Sequence, residues 1–239
     1  LMPLELFQRA VDQAAGRCEA LTLASRGEPL MNKNIETMLA YAAGKFLALK
    51  INTNAWFLDE SKCHAILQAG VNTLVFSADA IAEPSYSLLR VNGKLERVLD
   101  NIRRFQRIRA QHYPHARTIT RVSGVQVPGT ASLDEMEAFW REHVDQVALV
   151  AYNPWENIYV QPENGITAAC TDLWRRMFVW WDGAVNPCDA DYKSTLTVGN
   201  CKQDTLGDLW RSDAYQRLRD THREGQRGAC SPCKGCAVV

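Results

Sequence analysis

Apolar and polar positions in the first two-thirds of the chain follow two alternating periods. Short apolar, partly β-branched runs at 20–24, 47–52, 73–77, 119–127 and 146–151 predict five strands. Between them the apolar positions recur at helical spacing. One helix is expected over 34–43, and a second from an Asp59 N-cap to a Gly70 stop, with Cys63, Ile66 and Leu67 on one face. Leu95, Val98, Leu99, Ile102, Phe105 and Ile108 mark the apolar face of a long amphipathic helix. Ser132-Leu133-Asp134-Glu135 has the form of a capping box ahead of a helix carrying Met136, Phe139 and Trp140. Such alternation predicts an α/β fold: a parallel sheet with helices outside it, open or curled into a barrel.

In parallel sheets the chemistry gathers at the carboxyl ends of the strands. Here those ends are polar: Ser25-Arg26-Gly27-Glu28-Pro29, Asn52-Thr53-Asn54, Ser77-Ala78-Asp79, Arg121 with Ser123, and Tyr152-Asn153. Residues two apart share a face of a strand, so Asn52/Asn54, Ser77/Asp79 and Arg121/Ser123 each form a candidate pair facing one cleft. Any one pair is equally an ordinary turn or cap. Polar groups at all five ends favour a site for a small polar ligand.

The last third changes character. Cys170 is followed by Trp181-Asp182-Gly183, Pro187-Cys188 and finally Cys233-Lys234-Gly235-Cys236. Two distant thiols and a terminal C-x-x-C supply four ligands for one metal centre, and binding the metal would close the small domain. Cys230 forms a second C-x-x-C with Cys233 and is a possible ligand, ranked below Cys236; Cys201 is expected to be incidental. Spacing alone does not separate a structural zinc site from an iron–sulfur cluster. Trp174, Trp180, Trp181 and Trp210 are candidates for an apolar shell around the centre, or for the core of a small domain.

Composition excludes some classes. Lys plus Arg and Asp plus Glu balance at 27 each, so nothing suggests a nucleic-acid partner or a polybasic membrane patch. No apolar run approaches a membrane span. Of eight cysteines, five follow position 187, which favours a metal site in a reducing compartment, with the cytoplasm as the expected location.

In this order, Gly27-Glu28-Pro29-Leu30, Thr53-Asn54 and Ser77-x-Asp79 resemble the radical S-adenosylmethionine (radical SAM) enzymes. The tail Cys170…Gly183-x4-Cys188…Cys233-x2-Cys236 resembles the SPASM, or shortened twitch, auxiliary-cluster domain attached to many of them. The resemblance covers nearly the whole chain. It implies a partial (β/α)6 TIM-type barrel over 1–158, lacking its first strand, and a SPASM/twitch domain over 159–239.

By the resemblance, the backbone of Arg26, Gly27 and Glu28 would receive the methionine amino group of S-adenosyl-L-methionine. Family members usually have glycine where Arg26 stands, which puts that contact in doubt. Asn54 belongs to the same set of strand-end contacts, and Ser77 and Asp79 fall where the family holds the ribose hydroxyls. Arg121 is a partner for the methionine carboxylate, since guanidinium and carboxylate fit bidentately, and Asn153 stands at the next strand end, towards the adenine. Cys170, Cys188, Cys233 and Cys236 would hold an auxiliary 4Fe-4S cluster, with Cys230 in reserve.

The family's Cys-x3-Cys-x2-Cys loop is absent from these residues; Cys18 and Cys63 are lone cysteines, expected as packed thiols. A start at Leu1-Met2-Pro3 is expected to reflect truncation, with a degenerate homologue as the alternative. Either way this polypeptide by itself is not expected to cleave S-adenosylmethionine, and a second 4Fe-4S cluster belongs to the full-length protein. The implied enzyme generates a 5′-deoxyadenosyl radical that abstracts hydrogen from its substrate, with the auxiliary cluster as electron acceptor. A flavodoxin or ferredoxin would be its reductase.

The short tail leans towards a small polar substrate oxidised at a C–H bond. A peptide- or protein-modifying maturase, a non-catalytic homologue and a zinc-binding interaction module are the alternatives. Asn153, Trp155, Glu156 and Tyr159 are candidates to line the substrate pocket, or equally to pack between domains.

Overall fold

The structure is a computed structural model that describes residues 1–152 and 158–238. The chain forms two compact units: Leu1 with Ala15–Tyr152, and Met2–Ala14 with Asn153–Val239. The sequence reading placed the whole start of the chain with the barrel. The helix of the first residues instead counts with the tail.

The first unit is a five-stranded sheet in the order β1 (Ala20–Leu23), β2 (Ala48–Thr53), β3 (Thr73–Ser77), β4 (Ile119–Gln126) and β5 (Gln146–Ala151). Every pairing is parallel. The connections carry α2 (Ile35–Ala42), α3 (Glu60–Gln68), α4 (Glu83–Leu89), α5 (Leu95–His112) and α6 (Leu133–Arg141). Leu49, Ile51, Leu74, Phe76 and Val122 are buried on one face of the sheet, and Leu39, Ile66, Ile102, Phe105 and Trp140 are buried on the helices. Gly124 stands in this buried row, and a Cβ there would lie 2.0 Å from the Ala78 carbonyl oxygen. Only glycine lets β4 pass that backbone.

The strand pattern of the sequence matches this sheet, and the predicted bounds of β3 and β5 coincide with the observed ones. Asp59 caps α3 by accepting from the Lys62 N–H, and both hydrogen bonds of the Ser132–Glu135 capping box are present. α4 was not expected. It is a single short run opened by Pro84, and Glu83 ties it to α5 by accepting from the Leu95 N–H at 2.8 Å.

The second unit contains α1 (Leu4–Ala14), α7 (Asp172–Arg175), the antiparallel strands β6 (Phe178–Val179), β7 (Ala184–Asn186) and β8 (Gly199–Asn200), then α8 (Leu206–Arg211) and α9 (Asp213–Arg223). Two apolar clusters hold it. Leu6 of α1 packs with Val185, Cys201 and Leu209. Leu173, Tyr215 and Leu218 form the other, joined by Cys230 at its margin. Arg9 donates to the Cys201 carbonyl at 2.7 Å, and Gln13 accepts from the Leu206 N–H at 2.6 Å. Gly183 makes the β6–β7 turn at φ +89°, where a Cβ would lie 2.5 Å from Asn200 Oδ1. Among the described residues no helix is long and apolar enough to cross a membrane.

Candidate metal centre and the open face of the sheet

Strand alternation sends every second side chain of the sheet away from its helices. Parallel register then lines these side chains up in rows. Lys50 pairs with Thr73; Asn52 stands beside Val75, Arg121 and Gln146; Ser77 stands beside Ser123 and Ala148. Asn52, Ser77, Arg121 and Ser123 therefore share one face, as their spacing suggested. Lys50 and Gln146 join them without having been singled out. The signal for Lys50 was available, two residues before Asn52; Gln146 is placed there by its register with Arg121. Arg121 is oriented by Gln146, whose Oε1 accepts from Arg121 Nε at 3.0 Å. Asn52 Oδ1 is buried with no hydrogen-bond partner.

The remaining strand-end candidates serve the sheet itself. Glu28 accepts from Thr53 Oγ1 at 2.6 Å and the Leu30 N–H at 3.0 Å through Oε1, and from the Asn54 N–H at 2.7 Å through Oε2. Its carboxylate thus joins the ends of β1 and β2. Asn54 turns back on its own loop, accepting from the Trp56 N–H at 2.9 Å. Asp79 takes the Val125 N–H at 2.9 Å and pairs with Arg90 at 2.6 Å, so both of its oxygens are engaged. Arg26 and Gly27 lie in the loop after β1. Asn153, Trp155 and Glu156 lie outside the described residues. Tyr159 donates to Asp191 and accepts from the Lys193 N–H at 2.9 Å, which fastens it within the second unit. Burial, followed by its bond to Asp191, pushes its hydroxyl up to about 12.

The second unit brings together the four cysteines of the tail. Cys170, Cys188, Cys233 and Cys236 line one cavity with Ile158, Leu173, Pro187, Leu196, Pro232, Asp172, His222 and Arg227. Its volume is ≈ 20 Å³. That is room for about one water, so a larger occupant is seated only as the thiols turn back towards the wall. Three of the four sulfurs accept a backbone N–H from the residue two positions on: Asp172 at Cys170, Ala190 at Cys188, and Val238 at Cys236, the last at 3.5 Å. Asp191 supplies a further N–H to Cys188. Donors directed at sulfur favour the thiolate, the form that binds metal.

Burial acts against them. It raises the Cys170 and Cys233 thiols and lifts Cys188 to about 11, with neighbouring cysteine sulfurs adding to the rise. Four thiolates gathered here need positive charge between them, as a metal centre supplies. Among the described residues no three His, Cys, Asp or Glu side chains are disposed to hold a single metal ion. A zinc ion draws its sulfurs to about 2.3 Å from one point.

The other thiols sit elsewhere. Cys230 packs beside Leu173, Tyr215 and Leu218, outside the cavity wall, although its charge bears on Cys233. Cys201 and Cys63 are buried in apolar packing, and burial carries Cys63 to about 12. Cys18 is exposed, against the expectation of a packed thiol; it lies in the short connection between α1 and β1. The tryptophans do not form the wall of the cavity. Trp174 and Trp181 are exposed, Trp180 stacks with Phe178, and Trp210 packs on Tyr215 and Arg219. Leucine, isoleucine and proline make the wall instead.

Residues 170–237 match the model of the SPASM family, an iron–sulfur cluster-binding domain. Across 89% of its length, the chain is 21% identical over 215 residues to the S-adenosyl-L-methionine-dependent 2-deoxy-scyllo-inosamine dehydrogenase of Niallia circulans, covering 70% of that protein. Among solved structures, BtrN in complex with AdoMet and 2-DOIA superposes at a TM-score of 0.64 with 19% identity, over 100% of this chain and 81% of BtrN. Streptococcus suis SuiB bound to precursor peptide SuiA superposes at 0.70 with 16% identity, over 98% of this chain and 64% of SuiB. At such identities the likeness is one of fold: a partial TIM-type barrel followed by a SPASM domain.

Proposed function

We propose that these residues are the barrel and SPASM part of a radical SAM enzyme that, with the cluster loop absent from these residues, oxidises a small polar substrate at a C–H bond. Cys170, Cys188, Cys233 and Cys236 would hold the iron–sulfur centre, which would supply a one-electron acceptor. The observation that carries this reading is the convergence of those four thiols, from three separate segments, on one cavity within the iron–sulfur domain. S-adenosyl-L-methionine, when bound with a reduced cluster, supplies the radical that removes a hydrogen atom. Loss of one electron and one proton from the resulting carbon radical gives the two-electron oxidation product.

This chain's own residues bind and orient. Arg121, fixed by Gln146, presents a guanidinium on the open face of the sheet, suited to the methionine carboxylate. Asn52 and Ser77 share that face, and Asn52 keeps a buried acceptor for a hydroxyl or amino group. Glu28 and Asp79 hold the loops at the strand ends, through backbone N–H groups and through Thr53 and Arg90. A flavodoxin- or ferredoxin-like protein would deliver the initiating electron.

The dehydrogenase relative supports a small hydroxylated substrate. The peptide-bound SuiB structure supports the second reading, a peptide substrate on the same fold. Calorimetric titration of the protein with S-adenosylmethionine, then with amino-cyclitols or short peptides, separates the two. The metal comes first. Protein prepared without oxygen is expected to hold about four irons and as many sulfides per chain. About one zinc without sulfide overturns the reading.

A further inference from the structure

Two side chains of the cysteine cavity remain unexplained by ligation. His222 and Arg227 each have only 1% of their surface exposed, and both line the cavity with the four thiols. His222 accepts the Cys170 N–H through Nδ1 at 3.2 Å. That bond fixes the neutral tautomer, so the proton sits on Nε2. Nε2 has no hydrogen-bond partner.

Arg227 spends both terminal nitrogens on backbone carbonyls. Nη1 donates to Ala168 at 3.1 Å and Val238 at 3.0 Å, and Nη2 to Cys236 at 2.9 Å and Cys233 at 3.5 Å. Its Nε–H is left buried and unpartnered. Two buried N–H donors without acceptors beside one cavity are costly, roughly 1–3 kcal/mol each by general experience. The cost is met if the occupant of the cavity brings the acceptors. The sulfurs of an iron–sulfur cluster are such acceptors.

We propose that His222 Nε2–H and Arg227 Nε–H donate N–H···S hydrogen bonds to the iron–sulfur centre of the tail and raise its reduction potential. The inference rests on the reading that Cys170, Cys188, Cys233 and Cys236 hold that centre. One-electron reduction adds negative charge to the sulfurs, and each donor stabilises the added charge. Arg227 adds a fixed positive charge in the same place. Together they make the centre a better acceptor for an electron leaving a substrate radical.

The test begins with iron and sulfide content of the anaerobic protein, followed by a redox titration of the cluster read by electron paramagnetic resonance. His222→Leu is expected to disfavour reduction about tenfold, a shift of about 59 mV to lower potential for a one-electron couple. His222→Gln, which keeps an amide donor, is expected to recover most of it. The unsubstituted protein gives an answer that does not depend on any variant folding. With 15N-labelled histidine or arginine, pulsed spectra of the reduced cluster are expected to show weak coupling to one nitrogen of each. Full iron and sulfide loading with no 15N coupling, or with an unchanged potential in His222→Leu, overturns the inference and leaves the cluster reading standing. Zinc in place of iron and sulfide overturns both.

Discussion

Glu28 serves three donors with two oxygens, across the gap between two strand ends. Glu28→Gln keeps the acceptor that faces Thr53 and Leu30 but turns an NH2 group on the Asn54 N–H. Loss of that charged acceptor is expected to cost roughly 1–3 kcal/mol in urea-induced unfolding. Among the thiols, Cys170→Ala and Cys188→Ala are each expected to abolish most iron uptake, measured as iron and sulfide per chain. Cys230→Ala is expected to leave uptake near that of the unsubstituted protein, because Cys230, unlike Cys170, is not part of the cavity wall. The four ligand candidates were legible as spacing. His222 and Arg227 were not: a histidine and an arginine on or just after a charged amphipathic helix look like its solvated face until the chain closes around them.

At the scale of elements, the amino ends of β4 and β5 are held by one carboxylate. Asp145 accepts from both terminal nitrogens of Arg109, at 2.6 and 2.9 Å, and from Thr120 through its N–H and hydroxyl, each at 2.7 Å. Partial burial pushes the carboxyl up, but these donors outweigh it and bring the group down to about 2 from 3.8. A folded-state value below the unfolded one means stability present above the higher value and lost as pH falls through the lower. The contribution is therefore complete above about pH 4 and gone below about pH 2. Because the pair is partly solvated, it is on the order of 1 kcal/mol. Asp145→Asn is expected to lower the urea midpoint at pH 7 by that much and to flatten the change between pH 4 and pH 2. Elements were readable where period and punctuation agreed, as in β3, α3 and α6. α4 was missed because seven residues offer too few turns for a helical period to stand out, and the β6–β8 strands because two or three residues have no alternation to show.

For the whole molecule, the second unit combines Met2–Ala14 with Asn153–Val239, segments that precede and follow most of the first unit in the sequence. α1 carries Leu6, Phe7 and Val11 on one buried face, a period visible in the sequence once its partner is known. What the sequence could not show is that the partners, Val185, Cys201 and Leu209, lie nearly two hundred residues away. Leu6→Ala is expected to destabilise the tail unit by about 2–5 kcal/mol, read from the unfolding of the cluster-loaded protein by loss of its visible absorbance. If the cost falls only on the sheet unit, the packing described for α1 is wrong.

That arrangement has a consequence for the order of synthesis. Met2–Ala14 is made before the sheet unit, and its own partners Val185, Cys201 and Leu209 emerge only after that unit is complete. Cys233 and Cys236 follow every other residue that lines the cavity. During translation α1 is an amphipathic helix with nothing to cover it, and the thiols of Cys170 and Cys188 are made before the pair that completes their set. The full set of four thiols thus exists only once Cys236 has been made, well after α1 and the whole sheet unit.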